Sequence, residues 1–326
     1  MTTFKEIRGT AVQSVSTDPS NPEVGQIWYN NSIGVLKGYA LSAASWAAGG
    51  NLNTNRFRIS GAGTQTAGLA FGGQGPSPSF TVQNATEEYD GSAWSAGGNL
   101  GTARSSGAGG GTQTAGLNFG GFNGTTTIAT TEEYDGSAWT GGGNMATSKY
   151  FLAGAGTQTA GLGFGGYNSS DVDQNTTEEY DGSTWTSGGN LGTAIAALGG
   201  LGTQTAGLAF GGSAGGNTAL TEEYNGSTWT AGGNLNTARR QISGFGIQTA
   251  GVAFGGFITT NSNATEEYNG TSWTNSTSLT TARVYAGGAG TQTAGLAANG
   301  NSGSPSTTEE FTGAFLATKT ITTSTS

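Results

Sequence analysis

The residues best equipped for chemistry in this chain are paired carboxylates. Glu87-Glu88, Glu132-Glu133, Glu178-Glu179, Glu222-Glu223, Glu266-Glu267 and Glu309-Glu310 supply 12 of its 20 acidic residues. Paired carboxylates can share acid–base work or hold Ca²⁺. Neighbours in an extended strand, however, project to opposite faces, and a pair that recurs in every repeat does not mark a single active site. The expected role is structural: one Glu toward solvent, the other paired with a recurrent Arg nearby. Asp171 and Asp173 supply only part of a calcium-loop ligand set. The glycine run 107–113 lacks the Lys-Ser/Thr and the helix of a phosphate loop. The chain contains no His and no Cys. That excludes a Ser-His-Asp triad, a disulfide, a thiolate metal site, and the commonest general base and transition-metal ligand. No catalytic residue, metal or cofactor is expected.

The formal net charge is −9, which disfavours nucleic acid and anionic lipid as partners. No run of about 18 apolar residues exists to insert in a membrane. Residues 1–14 lack the apolar stretch of a secretory signal. Glycine is abundant, at 62 of 326 residues, yet has no G-X-Y period, so a collagen-like chain is excluded.

What orders so glycine-rich a chain is repetition. GTQTAGLAFGG (63–73) returns at 111–121, 156–166, 202–212, 246–256 and, degraded, 290–300. Its glutamines (Gln65, Gln113, Gln158, Gln204, Gln248, Gln292) are spaced by 48, 45, 46, 44 and 44 residues. TEEYDGSAW (86–94) follows each time with small changes, ending in a frayed copy at 308–315, and a GGNL string closes each unit at Arg56, Arg104, Lys149, Ile195, Arg239 and Arg283. One unit reads as four strands: the variable residues before GTQ, then TAGLAFGG, TEEY, and a strand starting at the Trp. Asp-Gly or Asn-Gly between Tyr and Trp is a hairpin-turn signal. The Gln and Thr of GTQTAGL are expected to satisfy backbone groups near a central channel. Such sheets cannot bury both faces alone; stacked radially, each covers its neighbour. A β-solenoid is the rival, but its coils are usually shorter and lack one Tyr and one Trp per unit.

The order Gly72-Gly73, Tyr89, Trp94, Arg104, recurring in the following units, resembles the kelch motif, with a shorter Tyr-to-Trp turn. The resemblance covers residues 34–317 and implies an all-β, kelch-like β-propeller with four-stranded antiparallel blades. Copper-radical oxidases in that family need His and a Cys-linked Tyr, both absent. Six blades are expected, the strand at Trp46 completing the last one; the alternative is seven, with a hairpin at 26–39 starting another. The expected division is an N-terminal arm at 1–33, a propeller at 34–315 closed by both chain ends, and a tail at 316–326. The Gly-Thr-Gln-Thr-Ala-Gly and Gly-Gly-Asn-Leu strings also resemble kelch-like proteins of marine tailed bacteriophages. Residues 20–39 are similar to a segment many phage virion proteins carry near the N-terminus.

Variation between repeats is confined. The segment between the glycine pair and TEE is 12, 9, 10, 8 and 8 residues long in the first five units, and removing it leaves 36 residues each time. This loop and the one joining consecutive units leave the same side of the ring, since strands alternate in direction. Just after the Arg-like position the second loop varies too, giving an aromatic and basic candidate binding face: Phe57, Arg58, Tyr150, Phe151, Arg240 and Tyr285. A constant scaffold with one variable face suits recognition. The expected function is a non-enzymatic phage virion surface protein (tail fibre, appendage or capsid decoration). Its N-terminal segment would contact other virion proteins, and its propeller face a host glycan or protein. The alternative is a free, secreted carbohydrate-binding module.

Overall fold

Glycine dictates how closely the sheets of this protein approach one another. In the first strand of each repeat unit, a Cβ at Gly61 would lie 2.8 Å from the carbonyl oxygen of Gly288, and one at Gly288 would lie 2.4 Å from that of Gly244. Side chains there would wedge neighbouring backbones apart, so SGAGT, AGGGT and their equivalents are the sequences that fit.

The computed structural model describes residues 12–300 and 306–321. The described residues form seven four-stranded sheets and no helix, and the chain divides into two compact units, Ser45–Thr312 and the segments flanking it. In the larger unit each repeat makes one sheet. The first has strands Ser60–Thr64, Ala67–Phe71, Thr86–Tyr89 and Trp94–Ala96, paired antiparallel in chain order. The sixth takes Gly287–Thr291, Ala294–Ala298 and Thr308–Thr312 from the end of the unit and Ser45–Ala48 from its start, with Trp46 opposite Phe311. The six first strands touch in sequence order, and Gly287–Thr291 returns to touch Ser60–Thr64. The arrangement is propeller-like.

Several sets of contacts run from sheet to sheet, each built by residues that recur in the repeats. The indole N–H of Trp94, Trp139, Trp185, Trp229, Trp273 and Trp46 donates to the hydroxyl of Thr308, Thr86, Thr131, Thr177, Thr221 and Thr265, in the preceding sheet, at 2.9–3.1 Å. Each glutamine amide reaches back to two carbonyls of the preceding sheet, Gln113 to Gly68 and Tyr89, and Gln65 to Gly295 and Phe311. Apolar side chains of each second strand, Leu and Phe in the first four, pack on the next sheet: Leu69 and Phe71 cluster with Tyr134 and Trp139. Burying one such side chain stabilises by about 1.5–3 kcal/mol.

Both glutamates of TEEY are used. The first is buried and faces the cation that precedes its own sheet: Arg56–Glu87 at 3.1 Å, Arg104–Glu132 at 2.5 Å, Arg239–Glu266 at 2.8 Å, and Arg283–Glu309. Each arginine also donates to carbonyls, as Arg56 does to Gly72 and Ala85 at 2.6 Å. Lys149 lacks the fork and sits 3.4 Å from Glu178. In the fourth sheet Ile195 replaces the cation, and Glu222 keeps only the bonds from the amides of Gly192 and Thr193, which its counterparts accept as well, as Glu87 does from Asn53 and Thr54. One glutamate was expected to face solvent; the second, half-buried, is the more exposed of the two, but it too has a partner. Tyr134, Tyr180, Tyr224, Tyr268 and Tyr89 each donate a phenol to Glu88, Glu133, Glu179, Glu223 and Glu310 of the preceding sheet at 2.5–2.6 Å. The glutamines of GTQT bond to the backbone as expected; its threonines are exposed, though Thr64 and Thr291 accept from the nearby amides of Ala67 and Ala294.

The boundaries expected at 33/34 and 315/316 are corrected. Val35–Ser42 pairs with Ile27–Asn30 on one side and Phe315–Thr320 on the other, and Gln13–Val15 adds to Ile27–Asn30 in parallel. An eight-residue strand paired along both edges belongs to this smaller unit, not to the repeats. The hairpin foreseen at 26–39 exists there. In that unit Asp18 accepts from Trp28, Asn30 and Lys37, and these bonds, led by Lys37, hold its carboxyl down at about 2. Part of the expected arm, 1–11, and of the expected tail, 322–326, lie outside the described residues.

Two outcomes follow from these contacts. Glu266→Gln strands a buried guanidinium and is expected to cost about 3 kcal/mol, as loss of one partner of a buried pair does. Glu222→Gln, with no cation to strand, is expected to cost about 1 kcal/mol; equal losses in urea unfolding would contradict the assignment. Burial, then the bond to glutamate, raises the phenols of Tyr89, Tyr134, Tyr180, Tyr224 and Tyr268 to about 12. The folded state favours the neutral phenol, so this contribution is complete below pH about 10 and disappears as pH rises through 12. Ultraviolet titration should therefore show five phenols ionising together with unfolding; ionisation near pH 10 in a still-folded protein would contradict the clasp.

Candidate functional site

The candidate face is built where two loops of each sheet meet. Phe57, Ser105, Tyr150, Ala196 and Arg240 each form a backbone bridge with the residue following the glycine pair: Gln74, Phe122, Tyr167, Ser213 and Phe257. Those residues bridge onward to Val82, Thr127, Asp173, Asn217 and Asn261. The inter-repeat loop and the variable-length loop thus lie side by side.

The next residue of each inter-repeat loop carries a feature not foreseen. Arg58, Ser106, Phe151, Ala197, Gln241 and Tyr285 all have left-handed backbones, with φ between 50° and 58°. Each amide donates to the carbonyl of its counterpart in the preceding sheet: Ser106 to Arg58, Phe151 to Ser106, Ala197 to Phe151, Gln241 to Ala197, Tyr285 to Gln241, and Arg58 to Tyr285, at 2.7–3.2 Å. The six bonds form a closed circle. A non-glycine residue in this region costs of order 1–2 kcal/mol; the circle offsets it by satisfying six amides and six carbonyls that face no other strand.

The circle rims a cavity of about 140 Å³. Its floor is the glycines of the first strands, Gly61, Gly109, Gly154, Gly200, Gly244 and Gly288, which also line a cavity of about 120 Å³ opening on the other side. Side chains from the rim cover the mouth. Phe151 and Tyr285 stack with centroids 5.1 Å apart at 26°. The Arg58 guanidinium lies 5.0 Å from each of these rings and 5.4 Å from Phe57, which makes three cation–π contacts on one cation. Nη1 of Arg58 donates to the amide oxygen of Gln74 at 3.0 Å.

Of the six residues picked out from the sequence, four converge. Arg58, Phe151 and Tyr285 meet at the mouth, and Tyr150 packs 5.1 Å from Phe151 and 5.5 Å from Tyr167. Phe57 is not open surface: it is 6% exposed, enclosed by Phe80 and Tyr285. Arg240 turns to the variable-length loops, donating to Asn217 of the fourth sheet's loop at 3.0 Å and lying over Phe257 of the fifth sheet's loop at 4.7 Å. The Tyr150 hydroxyl donates to Asp171 at 2.6 Å, and burial followed by this bond pushes the phenol well above its usual range. Burial also raises the Tyr285 phenol, while Arg58 and Arg240 both oppose the shift.

Sequence reasoning missed Phe122, Tyr167 and Phe257, and weighed Asp171 only as part of a calcium loop. The first three share one repeat position, directly after the glycine pair, and aligning the repeats on that pair would have exposed an aromatic there in three units. Asp171 occupies a loop whose length differs from the others, so it has no aligned counterpart. No family model matches the chain, and no curated protein shows significant similarity to it.

Proposed function

We propose that this chain is a six-bladed, kelch-like propeller that works by binding, as a non-enzymatic surface protein of a tailed-phage virion. The observation that carries the binding role is the circle of left-handed residues: its backbone is the same in all six repeats while its side chains are Arg, Ser, Phe, Ala, Gln and Tyr. Glycine would occupy these positions without strain, and in a chain with 62 glycines none of the six is one. Rigid elements holding varied side chains at a cavity mouth suit recognition. The six-blade count is supported by the first and sixth repeat sheets touching directly.

The virion placement is supported by the resemblance of the repeat strings and of residues 20–39 to phage virion proteins. In this reading the N-terminal region attaches the chain to other virion proteins, and the loop face meets the host surface. Immunogold labelling with antibody to the propeller should decorate particles. Absence of the chain from purified particles, together with tight glycan binding by the free protein, would favour a secreted carbohydrate-binding module instead.

A further inference from the structure

The larger unit disposes of its cations in a telling way. Five of them, Arg56, Arg104, Lys149, Arg239 and Arg283, are buried against glutamates. Among its described residues the remaining two, Arg58 and Arg240, face no carboxylate. Each is anchored through one nitrogen to a neutral amide oxygen, Gln74 or Asn217, and Nε of Arg58 is buried without a hydrogen-bond partner. A guanidinium offers five donors, so both retain unused ones.

Both also belong to one arc of the rim. Arg240 adjoins Gln241, Gln241 accepts from the amide of Tyr285, and Tyr285 accepts from that of Arg58. The Tyr285 backbone is thus flanked by arginine-bearing loops on either side: the Arg58 guanidinium lies 5.0 Å from its ring, while that of Arg240 is held by Asn217 and Phe257. From Tyr285 the surface continues through Phe151 to Tyr150 in two ring contacts of 5.1 Å each. Beside Tyr150 stand the hydroxyl of Tyr167 and the exposed carboxylate of Asp171.

We infer that this arc is a subsite for an acidic saccharide, the sugar carboxylate held by Arg58 beside Tyr285, with Arg240 adding positive charge from the neighbouring loop, and the sugar rings laid along Phe151 and Tyr150. The assignment rests on the binding role proposed above and names its ligand class. Two cations left unneutralised in a chain of net charge −9 select an anion, and guanidinium is suited to carboxylate. Aromatic faces interleaved with hydroxyl, amide and carboxylate edges suit a sugar, which presents apolar C–H faces and hydroxyl rims.

The test is calorimetric titration of the full chain with a uronate-containing oligosaccharide, its carboxyl-reduced neutral counterpart, and acetate alone. Arg58→Gln is a fair variant because Gln241 already occupies the equivalent left-handed position at φ 57°; Arg240→Gln is the second. The acidic sugar should bind, more weakly as salt rises; Arg58→Gln should lose about tenfold or more in affinity and Arg240→Gln less, both while unfolding at the wild-type temperature. The neutral counterpart and acetate should bind far less. Equal binding of acidic and neutral sugars, acetate binding as tightly as the sugar, or unchanged affinity in folded Arg58→Gln would each overturn the assignment. If no saccharide binds while the protein still attaches to host cells, the ligand class is wrong and the binding role stands; if both fail, the role fails as well.

Discussion

Everything in the larger unit depends on a pairing between residues at its two ends, Ser45–Ala48 with Thr308–Thr312. Closing so long a loop carries an entropic cost that grows only slowly with length, and a single four-residue strand does not offset it alone. What does is that this one pairing completes several cycles at once. It seats Trp46 on Thr265 in one direction and, through the sixth sheet, lets Trp94 reach Thr308, Gln65 reach Gly295 and Phe311, Tyr89 reach Glu310, and Arg58 reach Tyr285. Each cycle is a chain of short local bonds until that step and a closed circuit after it.

The cycles tolerate defects because they are redundant. Phe311 lacks the hydroxyl of the other five tyrosines, and Glu267, which would have received it, accepts from Ser276 instead. Ala298 replaces the phenylalanine that elsewhere packs on a tryptophan, as Phe71 does on Trp139 at 4.9 Å. Ile195 removes a cation but joins the apolar cluster of Leu162, Phe164 and Leu191. Asn118 is the exception: it is fully buried, its side-chain nitrogen and oxygen have no partner, and its counterparts are Ala or Gly.

The four-strand reading of each repeat, the tryptophan strand that crosses from the start of the unit to its end, and the side on which the variable loops gather were legible because they follow from period and alternation. The partners of polar residues were less so. That Glu87 faces a buried Arg could be anticipated from their co-recurrence; that Glu88 receives Tyr134 could not, because the bond spans two sheets and depends on their angle. The left-handed circle was invisible for a related reason. Left-handed backbone is usually announced by Gly, Asn or Asp, and here it is imposed on Arg, Ser, Phe, Ala, Gln and Tyr by bonds between sheets. The smaller unit was misassigned because residues 34–44 have no repeat signature, and one of their two partner strands lies at the far end of the chain.

The circle gives the most direct test of closure. Native-state hydrogen exchange of the amides of Arg58, Ser106, Phe151, Ala197, Gln241 and Tyr285 measures the free energy of opening each bond. A closed ring predicts that all six exchange with one common, near-global opening energy. Fast local exchange at Arg58, with Phe151 and Ala197 still protected, would show the sixth and first sheets parting on their own and would contradict the account.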